Sequence, residues 1–130
     1  MLDLVYHLLS NDTTVNTSTN GRITTDLRVQ TNETPAIVIE LLGMEDLYYS
    51  KDSCKHYRST IDVTVYTKAI GECDTIMKQV ANVLDRYEGT VTPVTGNTYN
   101  VSNILIQNRD IDVIAEADMV EGTITLEVTA

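Results

Sequence analysis

The sequence predicts an α+β fold: a mostly antiparallel sheet with an N-terminal helix and one long helix packed on one face. Three stretches carry that reading. Between residues 71 and 89, Cys73, Ile76, Met77, Val80, Val83, Leu84 and Tyr87 recur at steps of three and four, with Lys78, Asn82, Asp85 and Arg86 elsewhere on the wheel. Residues 60–67 alternate, placing Ile61, Val63 and Val65 on one face and Thr60, Asp62, Thr64 and Tyr66 on the other, as a half-buried strand does. Near the C-terminus Ile124, Leu126 and Val128 alternate with Thr123, Thr125 and Glu127, so that strand also has one covered and one wet face.

The other elements follow in chain order. Residues 2–9 set Leu2, Val5, Leu8 and Leu9 at helical spacing, and Ser10, Asn11 and Asp12 end the helix because their short polar side chains compete for backbone groups. Residues 11–20 turn to Thr, Asn and Ser around Val15; they predict a surface loop, closed by an Asn20-Gly21 turn. Arg22-Ile23-Thr24 predicts a brief strand, and Pro35 disfavours helix at Thr34. The β-branched run Ala36-Ile37-Val38-Ile39-Glu40-Leu41 predicts a short central strand. Residues 44–58 are the least regular stretch and predict a long loop or a hairpin arm. Gly89 is the expected stop of the long helix, and residues 90–97, with Pro93 and Gly96, a connection. The remainder predicts a meander of strands at 99–107, 111–119 and 123–129, turning at Asn108-Arg109-Asp110 and at Glu121-Gly122.

Length and charge bound the function. The 130 residues correspond to one domain, 1–130, at roughly 150 residues per domain. The 9 Lys and Arg face 19 Asp and Glu, a formal charge of −10 that opposes any broad attraction to nucleic acid or anionic lipid. Seven Tyr with no Phe or Trp leave the core to aliphatic side chains and put large amphipathic rings at wet edges. Cys54 and Cys73 make no disulfide framework and are expected as free thiols. The first nine residues lack a basic leader and a long apolar run, which predicts a protein made in the cytoplasm with no membrane segment. The Asn-x-Ser/Thr triplets at Asn11, Asn16, Asn32 and Asn100 then reflect composition.

Catalytic patterns are missing. A nucleophile needs a base beside it, and the two His are His7, in the terminal helix, and His56. Cys54, His56 and Cys73 lack the paired spacing of a zinc site, and the glycines form neither dinucleotide nor P-loop fingerprints. No catalytic residue, cofactor or metal is therefore assigned. Asp110, Asp112, Glu116 and Asp118 stand at even spacing, which on one strand puts all four on a single acidic, solvated or channel-facing side, opposite Ile111, Val113, Ala117 and Met119. Residues 44–58 gather Tyr48, Tyr49 and Tyr57 with Lys51, Lys55, His56 and Arg58. Tyr and Arg are enriched where interfaces bury area, so Tyr48, Tyr49, Tyr57 and Arg58 are the candidate partner-binding residues, and another copy of this acidic chain is a suitable partner.

Taken in order, the leading Leu4-Val5-Tyr6-His7-Leu8-Leu9, then Gly21-Arg22-Ile23, the polar stretch with Gln30, Pro35-Ala36-Ile37-Val38-Ile39 and the alternating Ile61-Asp62-Val63-Thr64-Val65-Tyr66 followed at once by a helix, resemble the tail terminator or tail completion proteins of long-tailed bacteriophages, also called tail-to-head joining proteins. The resemblance covers nearly the whole chain, while the C-terminal half matches by pattern alone. It implies a small α+β virion protein without enzymatic activity that forms a homo-oligomeric ring, typically a hexamer, on the head-proximal end of the tail. Such a ring binds the tail tube protein, stops tube growth, docks a head-completion or connector protein, and lets genome DNA pass without specific binding. A carboxylate-lined lumen suits that passage, since it repels phosphate. The alternatives are another virion ring component, such as a tail tube or head-completion protein, and an acidic inhibitor that mimics DNA.

Overall fold

The computed structural model describes residues 1–25, 33–48, 55–115 and 118–130; at 46–48 and 55–56 it describes the backbone alone. The chain runs α1 (Leu2–Ser10), α2 (Thr13–Ser18), β1 (Ile23–Thr24), β2 (Ala36–Tyr48), β3 (Lys55–Thr67), α3 (Ile70–Leu84), β4 (Gly89–Val91), β5 (Tyr99–Val101), β6 (Asn103–Ile114) and β7 (Met119–Thr129). A five-stranded sheet has the order β1-β2-β3-β7-β6, and β4 pairs with β5 in a separate small ladder. Every pairing is antiparallel except that of β1 with β2. The α+β class and the mostly antiparallel sheet are as the sequence predicts.

Alternation decides which sheet face the helices cover. Ile37 and Ile39 of β2, Ile61, Val63 and Val65 of β3, and Ile124, Leu126 and Val128 of β7 are all fully buried and meet Leu4, Val5 and Leu9 of α1 and Cys73, Ile76, Met77, Val80 and Leu84 of α3 in one cluster. The other face carries Thr60, Asp62, Thr64, Thr123, Thr125 and Glu127 and stays partly open. Leu2 and Leu8, on the predicted apolar stripe of α1, pack at its margin.

Several boundaries differ from the expectation, each for a local reason. Residues 13–18 form a helix rather than a loop: the Asp12 side chain caps it by accepting from the Val15 N–H at 3.0 Å, and Val15 is fully buried. A cap and one anchored apolar residue outweigh the weak helix propensity of Thr, Asn and Ser. The strand at 36–41 lies inside the sheet, between β1 and β3, but it is not short. It runs on to Tyr48, paired with β3 as far as Tyr48 opposite Lys55, so the described residues of 44–58 are two paired strands, in keeping with the hairpin arm of the two alternatives. The alternation breaks there because Leu42 is an extra residue between Leu41, opposite Ile61, and Gly43, opposite Thr60.

The long helix stops before Gly89. Asp85 is already extended, Arg86 takes φ 58°, and the Arg86 N–H donates to the Ile104 carbonyl at 2.7 Å, so capture by the start of β6 ends α3. Gly89 instead opens β4, within what reads as a plain connection. The three-strand meander is also corrected. Residues 99–101 belong to the small ladder; Asn108-Arg109-Asp110 lies inside β6, where Gln107 is an extra residue; and Glu121-Gly122 lies inside β7 opposite Tyr66 and Val65. The chain reverses between Ile114 and Met119, with Asp118 at φ 48°.

Gly122 reads as a turn residue in sequence but serves close packing. A Cβ placed on it would run into Met77 Sδ and Cys73 Sγ, which fill the space where α3 crosses β7. Gly122→Val is expected to destabilise the fold by about 1–3 kcal/mol through overpacking, read as a lower urea midpoint with unchanged slope. Cys73 itself is buried and free, and burial, then the neighbouring Asp74 and Glu72, push its thiol pKa upward. Cys54 lies outside the described residues.

A polar clamp fastens the connection after β4 to α1. The Asp3 carboxylate accepts from Tyr99 Oη and Thr95 Oγ1, each at 2.7 Å, and from Asn97 Nδ2 at 3.3 Å, with the N-terminal ammonium 3.2 Å away. Burial alone would raise the Asp3 pKa, but these donors together hold it far below the ordinary carboxylate range.

Candidate assembly surfaces

The sheet presents its polar face as a set of cross-strand rows. In the row nearest the arm, Arg58 on β3 lies 3.7 Å from Glu45 on β2 through Nη1 and 3.3 Å from Glu127 on β7 through Nε, and Gln107 on β6 donates to the second oxygen of Glu127 at 2.7 Å. Lower down, Thr125 Oγ1 donates to Asp62 at 2.7 Å. Exposed pairs of this kind are each worth about 1 kcal/mol or less. Their effect is to order side chains across four strands.

Of the candidate contact residues, Tyr48 and Tyr57 sit on the paired strands of the arm, Arg58 is held in the row just described, and Tyr49 lies outside the described residues. The Tyr57 backbone is tied to Ala130 in both directions, at 2.7 and 3.0 Å, so the base of the arm is a regular continuation of the sheet. Sequence reasoning missed that Arg58 has partners within its own chain; Glu127, on the adjacent strand of the sheet but far along the chain, could be found only through the β3–β7 register.

The acidic series is divided. Asp110 and Asp112 are exposed neighbours on the open face of β6, Asp118 stands in the reversal instead of on their strand, and Glu116 lies outside the described residues. Register places Asp112 directly opposite Glu121. Neither is in an ion pair among the described residues, and like charges so placed destabilise a ladder. The residues expected to pack beneath them do not: Ile111 is 38% and Val113 62% exposed. The extra Gln107 turns Arg109, Ile111 and Val113 toward the helix side, at the margin beyond α3.

Elsewhere a groove of about 380 Å³ opens between α1, the end of α3 and β4, lined by His7, Leu8, Asn11, Val83 and Tyr87 among others. His7 Nδ1 is 3.2 Å from Asn11 Nδ2. Among the described residues, no three His, Cys, Asp or Glu side chains converge to hold a metal ion, and no helix is long and apolar enough to cross a membrane.

A chain of the virion of a native gene transfer agent (GTA) particle superposes with a TM-score of 0.70 over 99% of this chain and 92% of that one, at 10% identity, which establishes a shared fold. The model of the family described as Tail completion protein gp17 matches residues 3–129, and the chain belongs to that family. It is thus a structural protein of a phage tail. No curated protein matches its sequence.

Proposed function

We propose that this chain forms a closed hexameric ring of identical subunits that caps the head-proximal end of the tail tube, stops its elongation and offers the surface to which the head is joined. The family match across residues 3–129 is the observation that carries this reading. The partners are then further copies of the chain, the tail tube protein and a head-completion or connector protein, and the task is mechanical, with neither catalysis nor cofactor. Tyr48, Tyr49, Tyr57 and Arg58 supply the intersubunit or tube-facing contact. The open sheet face, with Glu40, Asp62, Asp110 and Asp112, borders the passage for DNA, where its charge repels phosphate and limits sticking; Asp118, in the reversal that follows β6, adds to the same margin.

Phage lacking the protein are expected to make tails of abnormal length, or tails that remain unjoined to filled heads, as seen by electron microscopy. Normal virions from such a mutant would overturn the reading. Tails of normal length on heads that leak DNA would favour a head-completion protein instead. Native mass spectrometry of the purified protein, alone and with tail tubes, is expected to show a closed ring; a monomer under both conditions would exclude one.

A further inference from the structure

We infer that the groove between α3 and the outer edge of β6 takes an extended acidic segment of another polypeptide, which adds to β6 as a further strand and sets its carboxylates on Arg86 and Arg109. Docking here is separate from closure of the ring.

The groove is built from one face of α3 and the last strand of the sheet. Lys78, Ala81, Asn82 and Asp85 stand at successive helical steps on α3 and line a cleft of about 220 Å³ that Arg109 of β6 closes. A second cleft, of about 450 Å³, adjoins it at Asp85 and Arg109 and runs along Arg86 and residues 105–108. Residues 107–113 of β6 are exposed throughout. The outer edge of β6 already accepts one main-chain bond from outside the ladder, since the Arg86 N–H donates to the Ile104 carbonyl at 2.7 Å. Beyond Ile104 that edge meets no strand among the described residues, so its outward N–H and C=O groups are open to an added strand. From Leu105 to Val113 it runs for roughly 25 Å at about 3.3 Å per residue, room for a strand of about eight residues.

Charge decides what kind of strand fits. Among the described residues Arg86 and Arg109 make no ion pair, in a chain of net charge −10, and Lys78 has only the exposed Asp74, one turn back on α3 at 3.0 Å. Asp85 is the one acid lining the two clefts, against these three cations. Arg86 also occupies the left-handed turn after α3, at φ 58°, where Gly is the usual residue, so its side chain stands where the backbone favours none. Register sets Arg109, Ile111 and Val113 on the helix side of β6, and Asp110 and Asp112 on the open side. An added strand is accordingly acidic at the alternate positions that meet Arg109 and Arg86, where each guanidinium can hold a carboxylate by two parallel hydrogen bonds. It is apolar where it passes the exposed Ile111 and Val113, and uncharged or basic on the side of Asp110 and Asp112. A second copy offers no such strand at its sheet edges. β6 laid antiparallel on β6 would bring Asp110 and Asp112 of both chains together on the open side, and the exposed end of β2 would bring Glu40 and Glu45 there. The occupant is therefore assigned to a different polypeptide.

The test uses short fluorescein-labelled peptides that alternate glutamate with threonine and end in valine, read by fluorescence anisotropy against the whole chain. The glutamate peptide is expected to bind. The same peptide with lysine in place of glutamate should bind roughly tenfold more weakly or worse, and so should a version N-methylated along one edge of its backbone, which cannot join the ladder. Arg86→Gly with Arg109→Gln is expected to weaken binding roughly tenfold or more, while thermal unfolding stays near that of the unaltered protein, because Gly suits φ 58° and Arg109 is exposed. Should that pair unfold, Arg109→Gln alone and Val113→Asp replace it, each with a loss of binding expected. Hydrogen exchange is expected to slow at the amides of residues 107–113 when the glutamate peptide is bound. Failure of the glutamate peptide to bind, binding untouched by N-methylation or by the arginine changes, or equal binding of a DNA oligonucleotide of the same charge would each overturn the inference. Self-association of the unaltered chain in sedimentation, abolished by the arginine changes, would overturn the assignment to a different polypeptide.

Discussion

Leu126→Ala is expected to cost about 2–5 kcal/mol of folding stability, the range for deleting a large aliphatic side chain from a tight core. Leu126 is fully buried, and β7 lies between β3 and β6, so Leu126 has Ile61 beside it on one strand and Ile106 on the other. Above it lies the helix layer, held in the same cluster by Ile76, Val80 and Leu84. A cavity there is enclosed on every side and can collapse little. Urea denaturation followed by far-UV circular dichroism is the measurement, with an unchanged slope expected for a pure loss of native packing. Thr125→Ala, one residue away on the open face, removes a single hydrogen bond to Asp62 and is expected to cost about 1 kcal/mol. Equal losses for the two variants would contradict the placement of the core.

The second large effect belongs to Asp3→Asn, for which a loss of about 2–3 kcal/mol is expected. The amide keeps the shape but loses the charge, and it turns donors toward Tyr99, Thr95 and Asn97, which already donate. The pH dependence has a definite sign. Because the folded-state pKa of Asp3 is depressed, its stabilisation is fully present above the ordinary value of 3.8 and is lost as pH falls from there toward the folded-state value. The unaltered protein should therefore lose stability below about pH 4 more steeply than Asp3→Asn. Tyr99 titrates in the opposite sense: burial, then the adjacent Asp3 carboxylate, push its hydroxyl up to about 12 from 10.0. That contribution holds below pH 10 and fades as pH rises through the folded-state value. Ultraviolet titration should find Tyr99 ionising late, and Asp3→Asn should lower its pKa.

Legibility in the sequence followed the range of the interaction that set each feature. The alternation at 60–67 and the helical stripe from 73 were legible because each reports burial of one face by period alone: Ile61, Val63, Val65, Cys73, Ile76, Met77, Val80 and Leu84 are buried as those periods select, while Val83 and Tyr87 of the same stripe are only partly buried. The extent of β2 and β6 was illegible because an extra residue in each strand breaks the alternation while the ladder continues. The stop of α3 at Leu84 depends on a hydrogen bond to Ile104, and the role of Gly122 depends on side chains some 45 positions earlier in the chain, Met77 and Cys73. The Asp3 clamp joins residues more than 90 positions apart. The acidic series was legible as composition, but the β6–β7 reversal removed Asp118 from the strand, and the neighbour across the ladder, Glu121, appears only once register is known.

The extra residues at Leu42 and Gln107 also bear on how such a chain can change length. In a regular strand, gain or loss of one residue turns every later side chain to the opposite face. At these two positions the irregularity already absorbs the additional residue: Ile106 and Asn108 face successive partners, Leu126 and Thr125, as they would if Gln107 were absent, and Leu41 and Gly43 face Ile61 and Thr60 in the same way. Single-residue deletion there leaves the buried set and the outward set unexchanged, whereas deletion at Val63 or Leu126 inverts half a strand. Related chains can therefore differ by one residue at each site and keep both faces of the sheet, so the strands bearing the arm and the acidic margin can drift in length without a change of fold.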